Sequence, residues 1–180
     1  MTINKILITA LAVCSFQLAN AQGSKVNTAG MLMSDYDIEK HVNNLHKASE
    51  AIEAASKHES TANMGKTWYY MGKVNYLLST DPTSKVDGND YVSKAISSFE
   101  KALTIEDKKF RDDKKVLTYL KDMAAESFNA SIEKQKAKDF KAAYDGYQRV
   151  VSIDELISKN GEKLQFDANL AVKNATFAAE

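Results

Sequence analysis

Three observations predict an all-α fold for this chain. Apolar residues recur three or four apart through six segments, and nowhere do they alternate for five residues as a half-buried strand would. One proline and seven glycines stand against abundant alanine, lysine and glutamate, a composition that favours helices. The chain also copies itself: AISSFEKALTIE at 95–106 returns as AYDGYQRVVSID at 143–154. Ala95 meets Ala143, Phe99 meets Tyr147, and Ala102-Leu103 meets Val150-Val151. A small residue, an aromatic four on, and a small-plus-aliphatic pair three further form one stripe of a helix that a neighbour must approach closely.

Residues 1–21 read as a secretory signal peptide. Lys5 precedes an apolar run from Ile6 to Phe16, too short to span a bilayer, and Ala19-Asn20-Ala21 supplies the small residues of a cleavage site. Cys14 keeps a second reading open. Leu11-Ala12-Val13-Cys14 has the outline of a lipoprotein signal, although Val13 is bulkier than the small residue that pattern wants. Cleavage after Ala21 would remove the only cysteine, and with it disulfides, thiolate metal sites and a cysteine nucleophile. The signal holds one of the 24 basic residues and none of the 24 acidic ones, so the remainder has a net charge of −1. That balance gives no electrostatic footprint for nucleic acid and no polybasic patch for anionic lipid. No apolar run after the signal reaches membrane-spanning length.

Residues 22–34, polar, small and without evident period, are expected to be a flexible leader. A first helix is predicted over 35–58, capped by Ser34-Asp35, with Ile38, Val42, Leu45, Ala48, Ile52 and Ala55 on its apolar face. A second covers about 61–79, with Met64, Trp68, Met71, Asn75 and Leu78 down one side and Gly72 in its middle. That glycine costs about 1 kcal/mol against alanine, a cost worth bearing where another helix packs on bare backbone. Asp81-Pro82 ends the helix, and 83–89 is a solvated loop. The third helix starts at Asp90 and buries Val92, Ala95, Ile96, Phe99, Ala102 and Leu103. The charged run at 106–115 is a turn and a solvated face leading into a long fourth helix with Val116, Leu120, Met123, Ser127 and Ala130. The fifth, 139–157, is expected to bury Phe140, Ala143, Tyr144, Tyr147, Val150 and Val151. Asn160-Gly161 then breaks the chain before a sixth helix over 162–180, with Leu164, Ala168, Ala171, Val172 and Ala175 inward.

The chain resembles the tetratricopeptide repeat family, whose 34-residue unit is a helix pair with Trp, Leu, Gly and Tyr in the first helix and Ala, Phe and Ala in the second. Trp68, Met71 and Gly72 stand at the first-helix spacing, with Asn75 in place of the tyrosine and Tyr76 one place late. Ala95, Phe99 and Ala102 match the second-helix signature, as do Ala143, Tyr147 and Val150, and Ser131 falls at the second unit's glycine position. The resemblance implies units at about 63–109 and 124–157, a partial unit at 35–58 whose Ala48, Ile52 and Ala55 look like a second helix lacking its first, and a capping or truncated helix at 162–180. Together these would stack as a short right-handed solenoid of about six helices. The match is imperfect. Trp68 and Ala95 lie eleven residues further apart than the repeat allows, the two second helices are fourteen further apart, and each unit lacks its terminal proline.

The same resemblance implies a concave groove lined by first helices. Its positions here are Lys66, Tyr69, Lys73, Tyr76 and Leu77, continued by Phe128, Ile132, Gln135 and Lys136. Aromatic area beside cationic heads suits a peptide or a carboxylate-bearing ligand. The alternative is that these tyrosines simply pack on a neighbouring helix. The lysine and asparagine that clamp terminal carboxylates in some members are Tyr69 and Lys73 here, so that activity is not implied. Catalysis has little support: His41 and His46 do not converge round a helix, the 81–90 loop lacks the carboxylates a calcium loop needs, and no nucleophile or phosphate-loop motif occurs. The expectation is a non-catalytic protein- or peptide-binding scaffold of the periplasm, the cell envelope or the secreted space, with no cofactor and no metal. Its alternative is an envelope-complex subunit or assembly factor tethered through Cys14. An exposed terminal helix face would leave a route to homo-oligomers.

Overall fold

The computed structural model describes residues 23–84, 90–105, 107, 110 and 113–179. The proposed signal with Cys14, most of the 83–89 loop and part of the 106–115 run lie outside the described residues. Every regular element among them is helical, and the chain divides into two compact units, Met1–Arg111 and Asp112–Glu180.

The first unit begins with α1 (23–39), followed by α2 (Val42–Ser56), the one-turn α3 (Glu59–Ala62), α4 (Gly65–Thr80) and α5 (Tyr91–Thr104). Helix α1 corrects the expectation of a flexible leader. Val26, Ala29, Met33 and Tyr36 are three or four apart and all buried, a helical stripe that small and polar neighbours disguise. They pack with Leu45, Ala48, Ile52 and Ala55 of α2 and Met71, Val74 and Leu78 of α4. The helix predicted over 35–58 is therefore two. Its Ser34-Asp35 cap lies inside α1, and Ile38, expected on the apolar face, is 82% exposed. The chain turns at Lys40, which takes a left-handed φ of 57° and donates its N–H to the Tyr36 carbonyl at 2.8 Å. A glycine or asparagine usually marks such a helix end; the lysine here gave no warning.

Helices α4 and α5 run antiparallel, since Gly72 meets Phe99 while Trp68, a turn earlier, meets Lys101, whose Nζ lies 3.6 Å from the indole centroid. Gly72 is bare for a reason: a Cβ there would enter the buried Phe99 ring, with Cγ only 2.8 Å away. The Phe99 ring is thus the nearest neighbour of this glycine. Helix α4 starts at Gly65, later than predicted, and its first turn is tied from downstream. The Asp107 carboxylate accepts the Gly65 N–H at 3.1 Å, supplying the acceptor that the N-cap Met64 cannot. The Asp90 side chain caps α5 by accepting the Ser93 N–H at 2.9 Å.

Helix α1 runs parallel to α4. Asn27 pairs with Lys66, Gly30 lies against Tyr70, and Asp37 pairs with Lys73, so positions rise together along both helices. Near the end of α1, the buried Tyr36 hydroxyl donates to Asp81, the residue that follows α4, at 2.8 Å.

The second unit holds α6 (Asp113–Lys136), α7 (Phe140–Lys159) and α8 (Ala168–Ala179). Between α6 and α7, Lys138 adopts a left-handed φ of 61°. The Asp139 N–H reaches the Lys134 carbonyl and the Lys138 N–H reaches that of Gln135, closing the helix end in a Schellman pattern. Gly161, at φ 76°, repeats that pattern after α7. Ala143, Tyr147 and Val150 of α7 form a core with Ala171 and Ala175 of α8, and Phe128, Ile132, Leu164 and Phe166 pack against it. Ser131 of α6 seats in the space left by Gly146. Three expectations fail here. Phe140 and Tyr144 are exposed on α7, Val172 is exposed on α8, and α8 starts at Ala168, leaving 162–167 outside any helix.

Candidate binding surface

On α4, the positions expected to face a partner lie against other parts of the same unit. Tyr69 is only 8% exposed, with its ring 5.4 Å from that of Tyr70 and 5.3 Å from that of Phe110. Leu77 packs on the first unit's core, and Tyr76 is half-buried. Lys66 donates to the Asn27 amide oxygen at 3.1 Å, and Lys73 pairs with Asp37 at 3.2 Å. Both cations are held by α1, Lys66 from the stretch expected to be a leader and Lys73 from its last turn.

The expected positions of the second unit divide the same way. Phe128 stacks against Tyr147 and Phe166, with centroids 5.8 and 5.2 Å apart, and Ile132 joins the same cluster. Gln135 accepts from the buried Tyr147 hydroxyl at 3.0 Å, and burial pushes that phenol's pKa up. Lys136 stays on the surface, paired with Glu133 at 2.7 Å.

An open surface exists on α1. In α1, Val26, Ala29, Gly30 and Met33 have the same 3-1-3 spacing as Trp68, Met71, Gly72 and Asn75 in α4. The offsets that select Lys66, Tyr69, Lys73, Tyr76 and Leu77 in α4 select Ser24, Asn27, Met31, Ser34 and Asp35 in α1, and all five are exposed. Four of these line an open cleft of about 390 Å³, whose further walls are Gly30 and Tyr70. Gly30 lets the two helices close on each other: a Cβ there would lie 2.8 Å from the Tyr70 hydroxyl. The spacing of Val26, Ala29, Gly30 and Met33 was the signal that could have located this surface from sequence.

A second cleft, about 330 Å³, lies in the second unit between Thr118, Lys121 and Asp122 of α6 and Leu164 and Phe166 of the 162–167 connection. Lys121 is paired there with Glu162 at 3.0 Å. Among the described residues no group of three or more His, Cys, Asp or Glu could hold a metal, and no helix is long and apolar enough to cross a membrane. His58 serves locally, its Nδ1 accepting the Ser60 N–H at 3.3 Å at the start of α3. No family model, no curated protein and no solved structure matches the chain.

Proposed function

We propose that this is a non-catalytic protein- or peptide-binding module of tetratricopeptide kind, exported to the cell envelope or beyond, which grips its partner along the face shared by α1 and α4. The observation that carries the reading is the repetition of one first-helix pattern in two parallel, adjacent helices, with the groove offsets of the earlier one standing open around a cleft. On this reading α1/α2 and α4/α5 are successive helix pairs of the first unit, α6/α7 is a pair of the same kind in the second, and α8 occupies the place of a further first helix or of a cap. Helix α1 is then the first helix that the pair containing Ala48, Ile52 and Ala55 lacked. A surface of this kind fits an extended segment whose side chains enter between the helices, with apolar contact from Met31 and Tyr70 and hydrogen bonds from Asn27 and Ser34.

Selection of an unbiased displayed peptide library on the immobilised protein tests this. Peptides are expected to be enriched, and to lose binding to the Met31→Ala/Tyr70→Ala double variant while far-ultraviolet circular dichroism stays unchanged. Enrichment that survives in the double variant would put the binding face elsewhere; no enrichment at all would remove the module from the peptide-binding class.

A further inference from the structure

We infer that Asn160-Gly161 is a modification site, at which the Asn160 side chain deamidates when the end of α7 opens. The inference stands apart from the partner-binding reading. Asn160 is the only asparagine in the chain that a glycine follows. The reaction is internal to this pair. The Gly161 main-chain nitrogen attacks the side-chain carbonyl carbon of Asn160; that C–N bond forms and the bond to Nδ2 breaks. Ammonia leaves with the proton that Gly161 gives up, and a cyclic imide remains. Water, the only co-reactant, then adds to either imide carbonyl and leaves aspartate or its β-linked isomer. A side chain on the following residue would crowd the attack. Gly161 has none, and both residues are exposed.

The folded helix end holds this reaction shut. Ring closure needs the side chain and the Gly161 nitrogen on the same side of the Cα–C bond, and a ψ of 17° at Asn160 turns them apart. The N–H that must lose its proton donates to the Ser158 carbonyl at 3.0 Å. The group to be expelled is engaged as well, with Nδ2 donating to the Leu156 carbonyl at 2.8 Å. Helix ends open far more readily than whole domains, so opening at the end of α7 sets the rate. After the reaction that end cannot close as before. A carboxylate at 160 only accepts, so it meets the Leu156 carbonyl with like partial charge, at the helix end whose dipole disfavours an anion. The β-linked isomer adds a carbon to the main chain and draws the Gly161 and Glu162 N–H groups off the carbonyls of Ser158 and Ile157. Beyond them runs the 162–167 connection, with Glu162 paired to Lys121 at 3.0 Å and Leu164 and Phe166 packed on the core. Deamidation therefore loosens the route from α7 to α8.

Incubation of the full chain in mildly alkaline buffer, with and without guanidinium chloride, tests the site. Trypsin then releases the peptide Asn160–Lys163, in which mass spectrometry reads the conversion. Conversion is expected in both samples, about tenfold or more slower in the folded one. Equal rates would show that the helix end gives no protection. An Asn160 that stays intact in the folded chain would show that the end does not open, and one that stays intact in denaturant would remove the site. Each of these results overturns the inference. The Asn160→Asp chain stands in for the linear product, with circular dichroism confirming its helices. Its Gly161 and Glu162 amides are expected to exchange hydrogen faster than those of the wild type. Unchanged exchange would overturn the loosening of the connection.

Discussion

In α4/α5 the side chain missing at the helix crossing belongs to the first helix; in α6/α7 it belongs to the second. Gly72 opens space for the Phe99 ring, whereas Gly146 opens space for the Ser131 hydroxyl. The aromatic that follows the copied pattern is fully buried in both pairs, as Phe99 and as Tyr147. Its role differs. Phe99 fills the crossing itself, while Tyr147 packs edge-on to Phe128 and sends its hydroxyl to Gln135. Two helix pairs can thus share a sequence stripe and place their tightest contact on opposite partners. What is common is a need for close approach, met by whichever side can give up a Cβ.

The largest expected effect tests the dependence of the first crossing on one ring. Phe99→Ala should cost about 3–5 kcal/mol, because it leaves a cavity beside a glycine that has no side chain to collapse into it. Urea unfolding followed by circular dichroism would measure this. A loss below about 1 kcal/mol would mean that α4 and α5 are held mainly by other contacts.

The two units also differ in how their elements are tied. The first has a buried link, in which Asp81 accepts from the Tyr36 hydroxyl at 2.8 Å and from the Thr83 N–H and hydroxyl at 2.8 and 2.6 Å. The second has a buried phenol too, but Tyr147 donates to the neutral Gln135 amide, and its ion pairs, such as Lys121 with Glu162 and Lys141 with Asp145, lie on the surface, where such pairs contribute about 0–1 kcal/mol. Thr83 is the main cause of a lowered Asp81 pKa; burial opposes it and Tyr36 assists. A depressed carboxyl stabilises the fold above its unfolded value, 3.8, and that contribution is lost as pH falls through the lower folded value. Burial first, and then Asp81, push the Tyr36 phenol up to about 12. A raised pKa stabilises below the unfolded value of 10.0, and that contribution disappears as pH rises toward 12. Tyr36→Phe should therefore cost about 1.5–3 kcal/mol at neutral pH, the worth of a hydrogen bond to a charged group, and should flatten the stability loss between pH 10 and 12. Unfolding curves of both proteins at pH 7, 10 and 11 would show it; parallel alkaline losses would assign that loss to other groups.

The second helices were legible in the sequence because their buried positions are chemically distinctive. Ala95, Phe99, Ala102, Ala143, Tyr147 and Val150 are all buried, and each aromatic sits in a strict 3.6-residue period. First helices carry weaker marks. Of the buried stripe in α1, only Val26, Met33 and Tyr36 are large, and the stretch between them reads as polar filler. Its end was hidden too, since Lys40 takes a conformation that glycine normally announces. The candidate surface suffered most from this. Lys66 and Lys73 share one face of α4, and the groups that hold them, Asn27 and Asp37, come from α1, of which the sequence suggested only the last turn, as the start of a longer helix. Periodicity locates a face; what covers that face depends on an element elsewhere in the chain.

The contrast between the crossings is sharpest in a pair of matched alanine substitutions, where the helix gains the same propensity twice. Gly72→Ala gains about 1 kcal/mol from helix propensity, yet its Cβ must displace a rigid, fully buried ring, and overpacking of that kind costs about 1–3 kcal/mol. The expected net loss is about 1–2 kcal/mol. At Gly146 the obstacle is a single hydroxyl, which donates to the Ser127 carbonyl at 2.7 Å and can rotate away. The Ser131 Cβ, 3.3 Å from the added methyl position, needs only a small adjustment. Gly146→Ala should come out near neutral, and adding Ser131→Ala should remove the obstacle and raise stability by up to about 1 kcal/mol. Melting curves of the three variants beside the wild type give the comparison directly. If Gly72→Ala and Gly146→Ala cost the same, the identity of the group facing the glycine does not matter, and the two crossings are equivalent after all.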